Sequence, residues 1–181
     1  MYENPEWQQI LSFWFEELSY DQWWIADPSL DDQIRHRFLE VHKRALRGEL
    51  FVWRAEPGGR LAEIIVLDQL SRNLFRGRPE AFRADSMALA LCQEAISRGA
   101  DQKLSTDQKA FLYLPLMHSE SLVIHELALE KFKSLEKQSY YQHELQHRDL
   151  LVKFGRYPAR NKALSRESTQ EELKFLESSG P

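Results

Sequence analysis

The sequence predicts an all-α fold of stacked antiparallel helical hairpins. Apolar residues recur at spacings of three and four along most of the chain, which places them on single helix faces. No segment alternates apolar and polar residues long enough to make a sheet. Caps and breakers punctuate the chain at short intervals, and consecutive helices joined by short loops pack antiparallel.

Each element has its own signal. Trp7, Ile10, Leu11, Trp14 and Leu18 form the stripe of a first helix, with Asn4 as cap and Pro5 at the first position. A second helix runs from about Pro28 to Arg47, with Ile34, Phe38, Val41 and Ala45 inward and Gly48 as its stop. A third runs from near Gly59 to about Asn73. It is apolar on nearly every side and therefore central. A fourth covers roughly Asp85 to Arg98 before Gly99. A fifth starts at the cap Ser105 and is expected to fail at Pro115. The sixth spans about Ser119 to Lys137, and the seventh about Tyr140 to Phe154 with Gly155 at its end. A short last helix opens at the capping sequence Ser168-Thr169-Gln170-Glu171-Glu172.

Size and composition narrow the class. A chain of 181 residues with 43% apolar content suits one globular domain, residues 1–181. The lone Cys92 leaves no internal disulfide and no thiolate cluster for zinc, and it reads as a buried core residue. The start Met1-Tyr2-Glu3-Asn4-Pro5-Glu6 lacks the pattern of a secretory leader, and no run suits a membrane span. A cytoplasmic protein without membrane partners is expected. No motif calls for a cofactor or a metal.

A net charge of −4 argues against nucleic acid as partner, since phosphate neutralisation needs a basic face. The charge is uneven. Arg148, Lys153, Arg156, Arg160, Lys162 and Arg166 crowd one stretch against the single acid Asp149. Arg72, Arg76, Arg78 and Arg83 crowd another against Glu80. Basic localities on an acidic chain suit a small anionic molecule or an acidic peptide, unless they pair with the acidic remainder.

Three places concentrate polar chemistry. Asp68 lies on the apolar stripe of the third helix, with Arg72 one turn on and Gln69, Asn73 and Arg76 nearby. A buried carboxylate needs a partner, so this is a preorganised polar site or a structural ion pair. His118 and Glu120 flank Ser119 at a helix junction, where they can do acid–base work or merely cap. His147 shares a face with Leu151 and Phe154, and the loop beyond offers Arg156, Arg160 and Asn161, guanidiniums suited to carboxylate or phosphate. His143-Glu144-Leu145-Gln146-His147 also matches the H-E-x-x-H pattern of zinc peptidases, with Glu167 as a conceivable third ligand. Those enzymes hold substrate on a strand, and none is expected here, so the match reads as incidental.

Several stretches stand in a recognisable order. They are Phe13-Trp14-Phe15, Leu67-Asp68-Gln69-Leu70-Ser71-Arg72-Asn73-Leu74-Phe75-Arg76-Gly77, Phe111-Leu112-Tyr113-Leu114-Pro115, His118-Ser119-Glu120, His147-Arg148-Asp149, Arg156-Tyr157-Pro158-Ala159-Arg160-Asn161 and Ser168-Thr169-Gln170-Glu171-Glu172. Together they resemble the bacterial family called domain of unknown function nine-two-four, over nearly the whole chain. The resemblance implies a helical fold similar to tetratricopeptide-repeat proteins and no settled activity. It places Asp68, Gln69, Arg72, Asn73, Arg76, His118, Glu120, His147, Arg156, Arg160 and Asn161 on family motif positions. His143 falls outside them. Ala159 stands where the family usually has His, and Ser165 where it usually has Gly.

The leading expectation is a polar pocket for a small anionic ligand, bound by Asp68, Gln69, Arg72, Asn73, Arg76, Arg156, Arg160 and Asn161. Its rivals are a hydrolase using His118, Glu120 or His147 as acid or base, and a helical scaffold for peptides. The pocket requires His118, His147, Arg72, Arg156 and Arg160 to converge, with Asp68 behind them and the histidine pKa values depressed. The oligomeric state is left open.

Overall fold

In the computed structural model, which describes residues 5–179, the regular elements are helical, and no strand occurs among the described residues. Helix α1 (Glu6–Ser12) is capped by Pro5, while Asn4, expected as its cap, lies outside the described residues. After Ser12 the coil widens into a π-helical turn, Phe13–Glu17, closed by Leu18 N–H on the Phe13 carbonyl at 3.2 Å. That turn brings the adjacent rings of Phe13 and Trp14 both into the core. A 3-10 turn, Asp21–Trp23, follows and is pinned by the Trp23 indole N–H on the Trp14 carbonyl at 2.7 Å.

Helix α2 (Pro28–Leu46) starts as its sequence suggests. The Asp27 carboxylate accepts from Ser29 N–H, Pro28 fills the first position, and Ile34, Phe38, Val41 and Ala45 face inward.

The third helix is one rod in three parts: α3 (Pro57–Ile65), a π-helical turn (Val66–Leu70) and α4 (Ser71–Leu74). It begins at Pro57 rather than at Gly59, because proline suits the first turn and both glycines fit inside it. A Cβ on Gly59 would lie 2.0 Å from the Trp53 carbonyl oxygen, so this close approach excludes any side chain. Leu61 to Ser71 are all buried, which makes the rod central, as its all-round apolar pattern predicts.

Helix α5 (Asp85–Ser97) ends ahead of Gly99, and α6 (Thr106–Met117) begins at a reciprocal cap between Ser105 and Gln108. The expected break at Pro115 does not occur. The helix runs through the proline to Met117, and His118 N–H still closes on the Leu114 carbonyl at 2.8 Å. A proline removes a single donor, and here the tight packing of Phe111 to Met117 keeps the remaining turns together. Helix α7 (Leu122–Lys133) starts three residues later than expected from Ser119, so Ser119 and Glu120 form a link and not a first turn. Helix α8 (Gln138–Phe154) ends at Gly155 with φ +70°. Helix α9 (Gln170–Ser179) opens with Thr169 and Glu172 capping each other's backbone N–H groups.

Consecutive helices pack on one another from α5 through α8, and α3 lies against α1, α5 and α6. One buried apolar cluster extends from Ile10 to Tyr140 and includes the free Cys92. Among the described residues no helix is long and apolar enough to cross a membrane.

Ser165, the position where the resembled family carries Gly, has φ +54°. A left-handed backbone is costly for a side-chain-bearing residue and free for glycine. Ser165→Gly is therefore expected to raise stability by about 0.5–1 kcal/mol, read as a higher urea midpoint at unchanged slope.

Candidate functional site

The site is built on the π-helical turn of the central rod. Asp68 sits within that turn and is 1% exposed. Its Oδ1 accepts from His118 Nδ1 at 2.8 Å and pairs with Arg72 Nη1 at 3.1 Å, and its Oδ2 accepts from Gln69 Nε2 at 2.5 Å. Burial opposes the charge on Asp68. Arg72 and His118, with hydrogen bonds from His118 and Gln69, outweigh it and hold the carboxyl far below the usual range. Asp68 is thus an ionised acceptor, and His118 Nδ1 must be the donor.

Arg72 and Arg160 flank this dyad and share one carboxylate. Arg72 makes two bonds to Asp85, at 3.0 and 3.1 Å, and a third to the Asp68 carbonyl at 2.8 Å. Arg160 reaches Asp85 Oδ2 at 3.2 Å and the His118 carbonyl at 2.8 Å, and its guanidinium lies over the rings of Phe82 and Tyr157. The two cations are therefore spoken for by Asp68 and Asp85. Burial, then repulsion by Arg72, pushes the His118 pKa down to about 4 despite Asp68, so its ring is neutral at pH 7. A neutral ring that donates from Nδ1 carries a bare lone pair on Nε2, and among the described residues that atom has no hydrogen-bond partner.

Three clefts meet at His118. One, about 130 Å³, is lined by Asp85, Ser119, Glu120 and Arg160 together with Leu89 and Pro115. The second, about 290 Å³, is lined by Trp24, Leu114, Met117, Tyr140, His143 and His147. The third, about 200 Å³, lies between His147, Tyr157, Ala159, Arg160 and Phe175. His147 borders the last two. It donates from Nδ1 to the His143 carbonyl at 2.8 Å, and burial again lowers its pKa, so it too presents a bare Nε2. Ala159, where the resembled family usually has His, supplies no imidazole to the third cleft.

The remaining expected residues go elsewhere. Asn73 and Arg76 turn away to α2, where both bind Asp31. Glu120 takes two bonds from Arg166 and one from Tyr157 N–H. Arg156 and Asn161 both bond Glu172, so they anchor α9 to the loop. Of the five residues expected to converge, His118, His147, Arg72 and Arg160 share one locality, and Arg156 does not. In the H-E-x-x-H stretch, Glu144 is buried and shares a hydrogen bond with His125 Nδ1 at 2.6 Å, so it serves the interior. Among the described residues no group of three or more His, Cys, Asp or Glu side chains is placed to hold a metal ion.

Sequence reasoning missed Asp85, Trp24, Tyr140 and Tyr157 as parts of this region. Asp85 was legible only as a helix start. The Tyr157 hydroxyl, which donates to the Met117 carbonyl at 2.5 Å, gave no signal beyond its place in a loop motif.

The family described as "Bacterial protein of unknown function (DUF924)" matches residues 10–180. The solved structure of ATU0120, a protein of unknown function from Agrobacterium tumefaciens, is similar at 37% identity with a TM-score of 0.90, covering 95% of this chain and 97% of that one. No curated protein sequence matches the chain.

Proposed function

The chain belongs to the bacterial DUF924 family, and we propose that it is a small-molecule acid–base enzyme of hydrolase type with His118 as its base. The observation that carries this reading is the Asp68–His118 dyad, with an unpartnered Nε2 where three clefts meet. Asp68 fixes the ring tautomer and its charge offsets the imidazolium that forms when Nε2 takes a proton. In hydrolysis that proton comes from the attacking water, and His118 returns it to the leaving group as the scissile bond breaks. With a pKa of about 4, His118 holds a proton only in passing, which suits such a relay. His147, which borders two of the clefts and has its own bare Nε2, is the second candidate for proton transfer. Glu120 is tied down by Arg166 and is the poorest of the three candidates.

The small-anion reading draws less support from this geometry. Arg72 and Arg160 are matched by Asp68 and Asp85, so the neutral site offers no vacant cation. Convergence of polar groups on His118 favours a small ligand over an extended or acidic peptide. One continuous apolar cluster supports treating residues 1–181 as a single domain, and a buried free cysteine fits a cytoplasmic setting.

Hydrolysis of a panel of 4-nitrophenyl esters and phosphoesters tests the reading. His118→Gln is expected to lower kcat by roughly 10²–10⁴-fold, and Asp68→Asn to lower kcat with KM little changed. Nitrogen NMR at pH 7 should find the His118 proton on Nδ1. Background rates over the whole panel, a wild-type rate in His118→Gln, or a proton on Nε2 would each sink it.

A further inference from the structure

We infer that the cleft beside Trp24 takes an uncharged, flat apolar molecule that donates an N–H or O–H to the bare Nε2 atoms of His118 and His147. The inference rests on the acid–base reading and names the class of ligand for that site. Four observations lead to it.

The first is size. At about 290 Å³ the cleft has roughly twice the room of a 150 Å³ apolar cavity that accepts benzene, enough for a bicyclic ring. The second is the wall. Trp24 lies flat on Phe111, at 14° and 5.6 Å, and keeps 41% of its surface exposed, so an indole face is available for stacking. Leu114 and Met117 are buried beneath it, and the Tyr140 hydroxyl is turned away to Asp107 at 2.7 Å. The third is charge. No Lys, Arg, Asp or Glu is among the residues lining this cleft, whose polar side chains are Tyr140 and the imidazoles of His118, His143 and His147, so no carboxylate, ammonium or guanidinium there offsets the desolvation of an ionised ligand.

The fourth observation fixes the polarity of the contact. Both imidazoles have committed their one proton, His118 to Asp68 and His147 to the His143 carbonyl. What they present to the cleft is a pair of acceptors. Their complement is a donor, whereas a carboxylate or phosphate would set lone pairs against lone pairs. The donated proton is also the one a base at His118 would withdraw, so recognition and chemistry use the same atom.

Three naphthalenes separate the alternatives at pH 7, with binding followed by calorimetry and by the nitrogen shifts of His118 and His147. 2-Naphthol has the ring and the donor, 2-methoxynaphthalene the ring alone, and 2-naphthoate the ring and a charge. 2-Naphthol is expected to bind at least about tenfold more tightly than either of the others, the worth of one satisfied hydrogen bond. Trp24→Ala, at a half-exposed position and with its fold checked by circular dichroism, should weaken 2-naphthol about tenfold. Equal binding of 2-naphthol and its methyl ether overturns the donor requirement, and tightest binding of 2-naphthoate restores an anion site in its place. Failure of all three, or an unaffected Trp24→Ala, overturns the cleft as the binding surface. The Nδ1–H tautomer of His118 in the free protein is read in the same spectra. If it holds while the naphthalenes are ignored, the ligand class fails alone, and if it is absent, the acid–base reading fails with it.

Discussion

Asp68→Ala is expected to destabilise the protein by about 3 kcal/mol, near the lower end of the range for breaking a buried ion pair. The carboxylate is 1% exposed and receives three side chains, His118, Arg72 and Gln69. Alanine removes the acceptor for all three and leaves their donors in a dry interior, where unmade hydrogen bonds are costly. The loss stays near the low end because Arg72 keeps its two bonds to Asp85. Asp68→Asn keeps the volume and one acceptor oxygen, so it should cost less than the alanine variant. Urea unfolding at pH 7 reads both. If Asp68→Ala unfolds at the wild-type midpoint, Asp68 is not the anchor of this site, and neither the dyad nor the argument for a bare Nε2 survives.

What made Asp68 and Arg72 legible was local geometry. A spacing of four on an apolar helix implies a buried pair, and the pair is there. The third partner, His118, lies 50 residues further along the chain, and no periodicity joins a helix interior to a distant junction. The resemblance marked both positions without saying that they touch. The same limit applies to Arg156 and Asn161, which read as ligand donors from their residue type. Their partner Glu172 was legible as a helix cap, and its use as an anchor for the loop was not. Asn73 and Arg76 follow Arg72 by less than two turns, yet they rotate onto another face and meet Asp31. Pro115 shows the opposite failure. A strong local rule was overruled by the packing of a helix buried from Ala110 to Met117. Helices and their stripes were therefore readable, whereas the clefts were not, because a cleft is made of residues from separate helices.

Lowering the pH from 6.5 to 4 is expected to destabilise the protein by about 3 kcal/mol through His42, and further through His118. His42 is 1% exposed, and its Nε2 lies 2.7 Å from Ser71 Oγ. The Ser71 hydroxyl spends its only proton on the Leu67 carbonyl at 2.5 Å, so His42 Nε2 must be the donor. Its Nδ1 is buried without a partner among the described residues. A second proton would go to Nδ1 and place a cation where nothing accepts from it. Burial accordingly pushes the pKa from 6.5 down to about 4. Between those two values the unfolded chain binds the proton and the folded chain refuses it, so stability falls as the pH falls. His118 follows the same course over the same window, and His147, also lowered, adds in the same direction. Glu144 opposes them, since burial raises its pKa and the folded protein takes up its proton first. The lowered carboxylates Asp31, Glu120 and Glu172 begin to lose their contribution only as the pH reaches the ordinary carboxylate range, so in the interval from 6.5 to about 5 the falling stability comes from the histidines, with Glu144 acting against them. Urea midpoints across that interval should fall steadily for the wild type and more gently for His42→Leu, which deletes one titration and one orphaned nitrogen. His118→Gln should flatten the slope by a similar amount, and the double variant should flatten it most. If the slope of His42→Leu equals that of the wild type, the buried ring is not the neutral donor that its bond to Ser71 requires.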